Sequence, residues 1–297
     1  MKKKFLVTQL GDVRFYAKHQ VLRELILLIS QGANVLVDRP INVFIGIHHW
    51  IADSLPKNAL NIGIQTEQFF DANGLKLWGS LPSSHLKAAC LKFDVILDFT
   101  ELNKLAYQNI DKYNRVVFGP YIFPKKKILP SKEKSSDVFF IGVLNERRSK
   151  IISALSKQYP VKIIQNEFGE QLNRSVSQSA AILNIHFQDG VYAEWPRILL
   201  AYINGKVVVS EDLGYPLIMG KHYCALDSDI KNTDFAEIHQ NIGRDFADNY
   251  SFSDFLNAQN GQKLKLQTSE IWYLWGHSVS VRLEKIKKKI KKYLKLS

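Results

Sequence analysis

Cysteine is almost absent from this chain of 297 residues, which carries only Cys90 and Cys224. Far apart and without Cys or His neighbours at ligand spacing, they argue against a zinc site or a disulfide framework and suit a reducing compartment. Long apolar runs are also missing. No stretch approaches the ~18 apolar residues of a spanning helix, and the opening MKKKFLVTQLGDVRF has too short an apolar run for a secretory signal. A cytoplasmic protein with no spanning helix is expected. Neither G-x-G-x-x-G after a strand nor G-x-x-x-x-G-K-[ST] occurs, which argues against a Rossmann dehydrogenase and a P-loop NTPase. No repeat of fixed period is visible.

Apolar residues are plentiful, at 46%, enough for two domains with their own cores. The net charge of +12 is concentrated at one end: Arg282 to Ser297 holds eight Lys or Arg and one Glu. With no base-reading or stacking module in view, nucleic acid is not the expected partner. Val279, Leu283, Ile286, Ile290 and Tyr293 or Leu294 recur at three- and four-residue steps, with lysines on the other face. Such a helix suits an anionic membrane surface, so residues 279–297 are expected to act as a peripheral anchor at the inner face of the cell membrane. A solvated helix end whose stripe packs on the protein is the competing expectation.

Short apolar runs alternate with helical periodicity along most of the chain. Strands are expected at Phe5–Thr8, Val35–Val37, Val43–Ile47, Asn61–Ile64, Val95–Leu97 and Val116–Phe118, with helices near Val21–Ile29 and Ser84–Lys92. From Gly119 to Asp137 the sequence GPYIFPKKKILPSKEKSSD, rich in Pro, Lys and Ser, reads as a break between domains. Strand and helix signals then resume at Val138–Gly142, Val161–Ile164, Ala180–Phe187 and Val207–Ser210. A helix is expected within Asp245–Leu256, and a long one from Thr268, interrupted at Gly276. The fold class is therefore α/β, with two Rossmann-like domains facing a cleft. The expected bounds are 1–122 for the first domain, 123–136 for the linker, 137–265 for the second and 266–297 for a terminal helix with its basic tail.

Polar residues cluster where strands end. In AAILNIHFQDGVYAEWPRILLAYINGKVVVSE, His186 follows one strand, Glu194 and Arg197 open a helix that Pro196 begins and Gly205 ends, and Glu211 follows the next strand. Helix amino termini favour anions, and an arginine beside one suits phosphate. Alternatively, Glu194 caps the helix and Arg197 is a solvated first-turn residue. Asn145, Arg147 and Arg148 sit at another helix start, after Val138–Gly142. In the first half, Asp12, His48 with His49, and Glu67 follow expected strands and are candidates for a base. Asp227-Ser228-Asp229 has the form of a metal motif but lies in a turn outside the strand–helix unit, and no catalytic metal is expected.

The residues from Val138 to Glu211, above all Leu183-Asn184-Ile185-His186, Glu194, Arg197-Ile198, Ala201, Gly205 and Val208-Val209-Ser210-Glu211, resemble the nucleotide-sugar half of GT-B glycosyltransferases, of a group found in bacteria and viruses. The resemblance implies transfer of a sugar from a nucleotide-sugar donor to a glycan or lipid-linked glycan acceptor, in bacterial surface polysaccharide or lipopolysaccharide synthesis. It implies donor contacts from Asn145, Arg147, Arg148, His186, Glu194, Arg197 and Glu211, a base among Asp12, Glu67 and His48, and no cofactor. Many retaining members carry a second glutamate eight positions after the first, where this chain has Tyr202. In such enzymes a terminal helix crosses back to the first domain, a role for Ile271, Trp272 and Trp275. A noncatalytic nucleotide-sugar-binding or scaffold protein is the alternative.

Overall fold

Two separate sheets, one from each half of the chain, position everything else. The computed structural model describes residues 6–31, 39–77, 82–111, 114–131, 137–259, 273–274, 276–284 and 286–287. The expected strand at Val35–Val37, the residues Ile271, Trp272 and Trp275, and the tail beyond 287 lie outside them.

The first sheet runs in sequence order: β1 (Leu6–Leu10), β2 (Val13–Tyr16), β3 (Ile41–Ile45), β4 (Leu60–Gln65), β5 (Val95–Asp98) and β6 (Val116–Phe118). Only β1–β2 is antiparallel. Every residue of β3 and β4 is buried, as strands covered on both faces require. Helices α1 (Gln20–Ser30), α2 (Ser83–Lys92) and the short α3 (Lys104–Tyr107) belong to this half. The expected first strand does not lead into the first helix. The strand that feeds α1 is β2, reached through a tight hairpin at Gly11-Asp12, where Gly11 takes a left-handed φ of 54°.

The second sheet is wholly parallel, in the order β11-β10-β9-β7-β8. Its strands are β7 (Val138–Ile141), β8 (Val161–Ile164), β9 (Ala181–Asn184), β10 (Val208–Ser210) and β11 (Cys224–Ala225). Its helices are α4 (Glu146–Leu155), α5 (Gly169–Ser177), α6 (Trp195–Ile203) and α7 (Phe235–Ile242). The chain builds outward from β7 to β8, then returns to the other side of β7 with β9. That reversal opens a crevice at the carboxyl ends of β7 and β9, where open α/β sheets bind ligands. The α/β class with two sheets and a cleft between them is thus as expected.

One apolar cluster spans both halves, beside others confined to each. Leu25 and Ile26 of α1 belong to the same buried cluster as Leu172 of α5 and Leu199 of α6. The Glu24 carboxylate accepts from the Gly169 N–H at 2.7 Å, a carboxylate of one half on a helix amino end of the other. A left-handed Gly205 ends α6 and lets residues 129–131 pass against it, since a Cβ there would lie 2.6 Å from the Leu129 carbonyl oxygen. The Pro/Lys-rich stretch is thus held at Ser131, whose N–H donates to the Gly205 carbonyl at 2.8 Å, while Ile122 and Phe123 are buried and Lys125, Lys126, Lys127 and Leu129 are exposed.

The helix expected within Asp245–Leu256 is two pieces, a π-turn at Gly243–Ala247 and α8 (Phe252–Ala258), divided where Ser251 caps the second by accepting from the Asp254 N–H. Helix α8 crosses to the first half: Phe252 packs on Phe15 with ring centroids 6.0 Å apart, and its N–H donates to the Phe123 carbonyl at 3.0 Å. Gly276, where an interruption was expected, is itself helical and opens the continuously helical residues 276–284, residue 275 lying outside the described residues. That helix lies on the first half, with Val281 buried beside Ile51 and Ala88 and the Ser278 hydroxyl donating to the Ile51 carbonyl at 2.9 Å. Among the described residues no helix is long and apolar enough to cross a membrane.

Candidate active site

A cleft of about 670 Å³ opens between the halves at the carboxyl ends of their strands. The first half contributes α1 and residues 66–68 after β4. The second contributes the turns after β7, β8 and β9 and the start of α6.

Glu194 is the hub of the second-half wall. It occupies the cap position of α6, yet its side chain makes no capping bond and turns instead to Arg197, Arg148 and His186. Its Oε2 lies 2.6 Å from Arg197 Nη1, and its Oε1 lies 3.6 Å from Arg148 Nη2 and 3.7 Å from His186 Nδ1. Burial alone would raise the Glu194 pKa, but Arg197, His186 and Arg148 outweigh it and hold the carboxyl below its ordinary range. Arg197 reaches across the crevice, donating to Asn184 Oδ1 at the end of β9 and to the Ile141 carbonyl at the end of β7. Asn184 is itself fixed through its Nδ2, which donates to the Ser210 hydroxyl at 2.8 Å. Arg148 is almost wholly buried, its Nε donating to the Ile185 carbonyl and its Nη1 to the Val143 carbonyl, each at 2.9 Å. Desolvation and the nearby Arg197 lower its pKa.

Asn145 caps α4, its Oδ1 accepting from the Arg148 N–H at 2.9 Å and its Nδ2 donating to the Phe187 carbonyl at 2.7 Å. His186 is buried and stacked on Tyr192 at 4.0 Å between centroids. Its Nε2 lies 2.9 Å from the Asp212 carbonyl, so that nitrogen carries the hydrogen and Nδ1 faces Glu194. Arg147 is turned away from the cleft. Both its terminal nitrogens meet the Glu211 carboxylate, Nη1 at 2.9 Å, and its Nε meets Asp189. Hydrogen bonds to Glu211 and Asp189 raise its pKa further against burial. Glu211 also accepts from the His186 N–H at 2.7 Å, so Arg147 and Glu211 brace the loop that presents His186.

On the facing wall stands Glu67, in the turn after β4. Its pKa is raised, first by desolvation and further by the negative charge of Glu194, against a weak bond from Thr66. A carboxyl with raised proton affinity, lining the same cleft as Arg148 and Arg197, fits a proton acceptor.

The other two candidate bases are elsewhere. Asp12 is exposed in the β1–β2 hairpin, before β2, so it stands at the amino ends of the parallel strands and away from the cleft. His48 lies in a short helical turn after β3, its ring 3.8 Å from that of His49, outside the cleft lining. Tyr202, at the second-glutamate position, is a core residue stacked on His239 at 4.8 Å. Asp229 is exposed and closes a local turn by accepting from the Lys231 N–H and from Asn232 Nδ2.

No family model matches this chain, and no curated protein matches it. Solved structures with a similar course include TarM of S. aureus in complex with fondaparinux, alpha-GlcNAc-glycerol and UDP, at 14% identity, covering 89% of this chain and 59% of that one, with a TM-score of 0.40. HepE of Anabaena in complex with UDP gives 8% identity, 79% and 80% coverage and a TM-score of 0.45. An alpha1,3-fucosyltransferase gives 15% identity, 74% and 75% coverage and a TM-score of 0.36. This chain thus spans 59% of the length of the first of these proteins.

Proposed function

We propose that this protein is a glycosyltransferase that moves a sugar from a nucleotide-sugar donor to a hydroxyl of an acceptor. The observation that carries the proposal is the pairing across one cleft of Glu67, whose proton affinity is raised, with the Arg148–Glu194–Arg197 cluster at a topological switch point. In the reaction the acceptor oxygen bonds to the anomeric carbon as the bond from that carbon to phosphate oxygen breaks, and the acceptor's proton passes to the Glu67 carboxylate. The departing nucleotide phosphate gains negative charge, which Arg148, Arg197 and the amino ends of α4 and α6 are placed to receive. Asn145, Arg147, His186 and Glu211 serve the donor by bracing those cations.

A nucleotide-sugar panel tests the proposal through thermal shift and release of free nucleotide. At least one donor is expected to raise the melting temperature of the folded protein and to be turned over with glycan or lipid-linked glycan acceptors. Binding of none would end the transferase reading. Binding without release would favour the noncatalytic alternative.

The acceptor, in this reading, is a glycan or lipid-linked glycan of a bacterial surface polysaccharide, met at the cytoplasmic face of the membrane. Supporting that location, Val279, Leu283 and Ile286 of the terminal helix are 37%, 53% and 53% exposed, on a face other than the one Val281 buries. A chain ending before Arg282 is expected to keep its fold and its activity on a soluble acceptor, yet to lose cosedimentation with anionic vesicles. Equal vesicle binding by both chains would remove the anchor from the proposal.

A further inference from the structure

Glu67 projects from the turn after β4, where among the described residues no strand pairs with the chain before the Phe70–Lys76 bridge, so its backbone is held by other means. Asn103, fully buried in the short helical turn after β5, holds it with both ends of its side-chain amide. Its Nδ2 donates to the Glu67 carbonyl at 2.9 Å, and its Oδ1 accepts from the Phe69 N–H at 2.7 Å. A bond to the carbonyl of one residue and from the N–H two residues later is the pattern a neighbouring strand would supply. The Asn103 amide thus stands in for a missing strand. Gln65 Nε2 adds a second donor to the same Glu67 carbonyl at 3.1 Å.

The clip is anchored in turn. The second hydrogen of Asn103 Nδ2 is shared between both oxygens of Asp98, each 3.0 Å away. Asp98 is the last residue of β5, buried, and also accepts from the Thr100 N–H and the Tyr107 hydroxyl, each at 3.1 Å. Burial pushes the Asp98 pKa up to about 7 although all three partners favour its charged form. A fold that keeps a carboxylate there despite that cost is using it to orient the amide.

We propose that Asn103, anchored on Asp98, is a positioning residue that fixes the Glu67–Phe69 turn and so presents the Glu67 carboxylate to the acceptor. The inference rests on Glu67 being the proton acceptor of the proposed transferase. Without the clip the turn relaxes, and displacement of the base by about 1 Å is enough to cost on the order of a hundredfold in rate.

Three measurements on Asn103→Ala decide it. Turnover, read as free nucleotide released from the nucleotide sugar that binds best in the panel, should fall at least about tenfold while the affinity for that nucleotide sugar stays within about twofold. In a Glu67→Gln background the same substitution should cause no further loss, a non-additivity that a general loss of stability would not produce. Hydrogen exchange should show lost protection at the Phe69 amide, which needs no turnover to observe. Unchanged exchange there, or additive losses, would overturn the positioning role. If Glu67→Gln retains full turnover, the base assignment fails and the catalytic part of the inference fails with it. A dead Glu67→Gln beside a fully active Asn103→Ala would sink the inference alone. Should Asn103→Ala fail to fold, the isosteric Asp98→Asn takes its place, with at least about a threefold fall in turnover and faster Phe69 exchange expected. Neither change in that variant would also overturn the role.

Discussion

Glu67→Gln should lower turnover by about a hundredfold or more, the usual worth of a positioned general base, with little effect on donor affinity. The same variant should be more stable than the native protein at pH 7. Both expectations come from one fact: the cleft desolvates the Glu67 carboxyl beside Glu194, so its pKa in the folded protein lies above the ordinary 4.5. A carboxyl with a raised folded pKa favours the folded state in its protonated form, and that contribution is lost as pH rises through the folded pKa. Neutral glutamine removes the cost. The gain in melting temperature should therefore be present at pH 7 and vanish below about pH 4.5, where glutamate is protonated in both states. Native turnover should fall as pH drops through the raised pKa, and that acidic limb should disappear in any residual activity of the variant. A variant with normal turnover at pH 7 would return His48 and Asp12 to consideration as bases, despite their positions outside the cleft.

Why Glu67 and not Asp12 could be singled out only from the structure is a matter of one hairpin. The sequence puts Asp12 ahead of Glu67, because Gly11-Asp12 reads as a loop from the first strand into a helix and nothing in it marks a tight turn into a second short strand. Which of these forms depends on whether Val13–Tyr16 pairs with β3, a contact to residues almost thirty positions away. Most of the other parallel strands were legible as short continuous apolar runs, whereas β2 and the two-residue β11 gave no such run. In the second half the periodicity also located Glu194 and Arg197 at the start of α6. What it could not show is that Glu194 forgoes the capping bond, or that Arg147 spends its charge on Glu211 while Arg148 lies beside Glu194. The two arginines are adjacent on a helix turn, and only the side chains brought near by β9 and β10 distinguish them. Asn184 did stand out as a polar break in an apolar strand. Asn103 gave no signal, because an amide that imitates a strand is recognisable only beside the turn it clips.

Arg197→Ala should weaken donor binding at least about tenfold and also destabilise the fold by about 3 kcal/mol, and separating those effects tests the site. Arg197 is the closest cation to Glu194, with side-chain exposures of only 12% and 23% for the pair. Truncating it leaves Glu194 facing Arg148 at 3.6 Å and His186 at 3.7 Å, too far for a good hydrogen bond to either. The carboxylate is then desolvated without its main partner, the situation in which breaking a buried pair costs several kcal/mol. The loss should be smaller in acid, where Glu194 can take a proton. Neutralising both groups, as Glu194→Gln with Arg197→Ala, should recover much of the stability, because no unpaired carboxylate remains. It should not recover donor affinity if Arg197 meets the donor phosphate, since the cation spanning the β7–β9 crevice is still gone. Calorimetry with the best nucleotide sugar and denaturant unfolding of the native protein and the two variants supply the comparison. Recovery of donor affinity together with stability would mean that Arg197 acts only as the partner of Glu194, and phosphate recognition would pass to Arg148 and the amino end of α4.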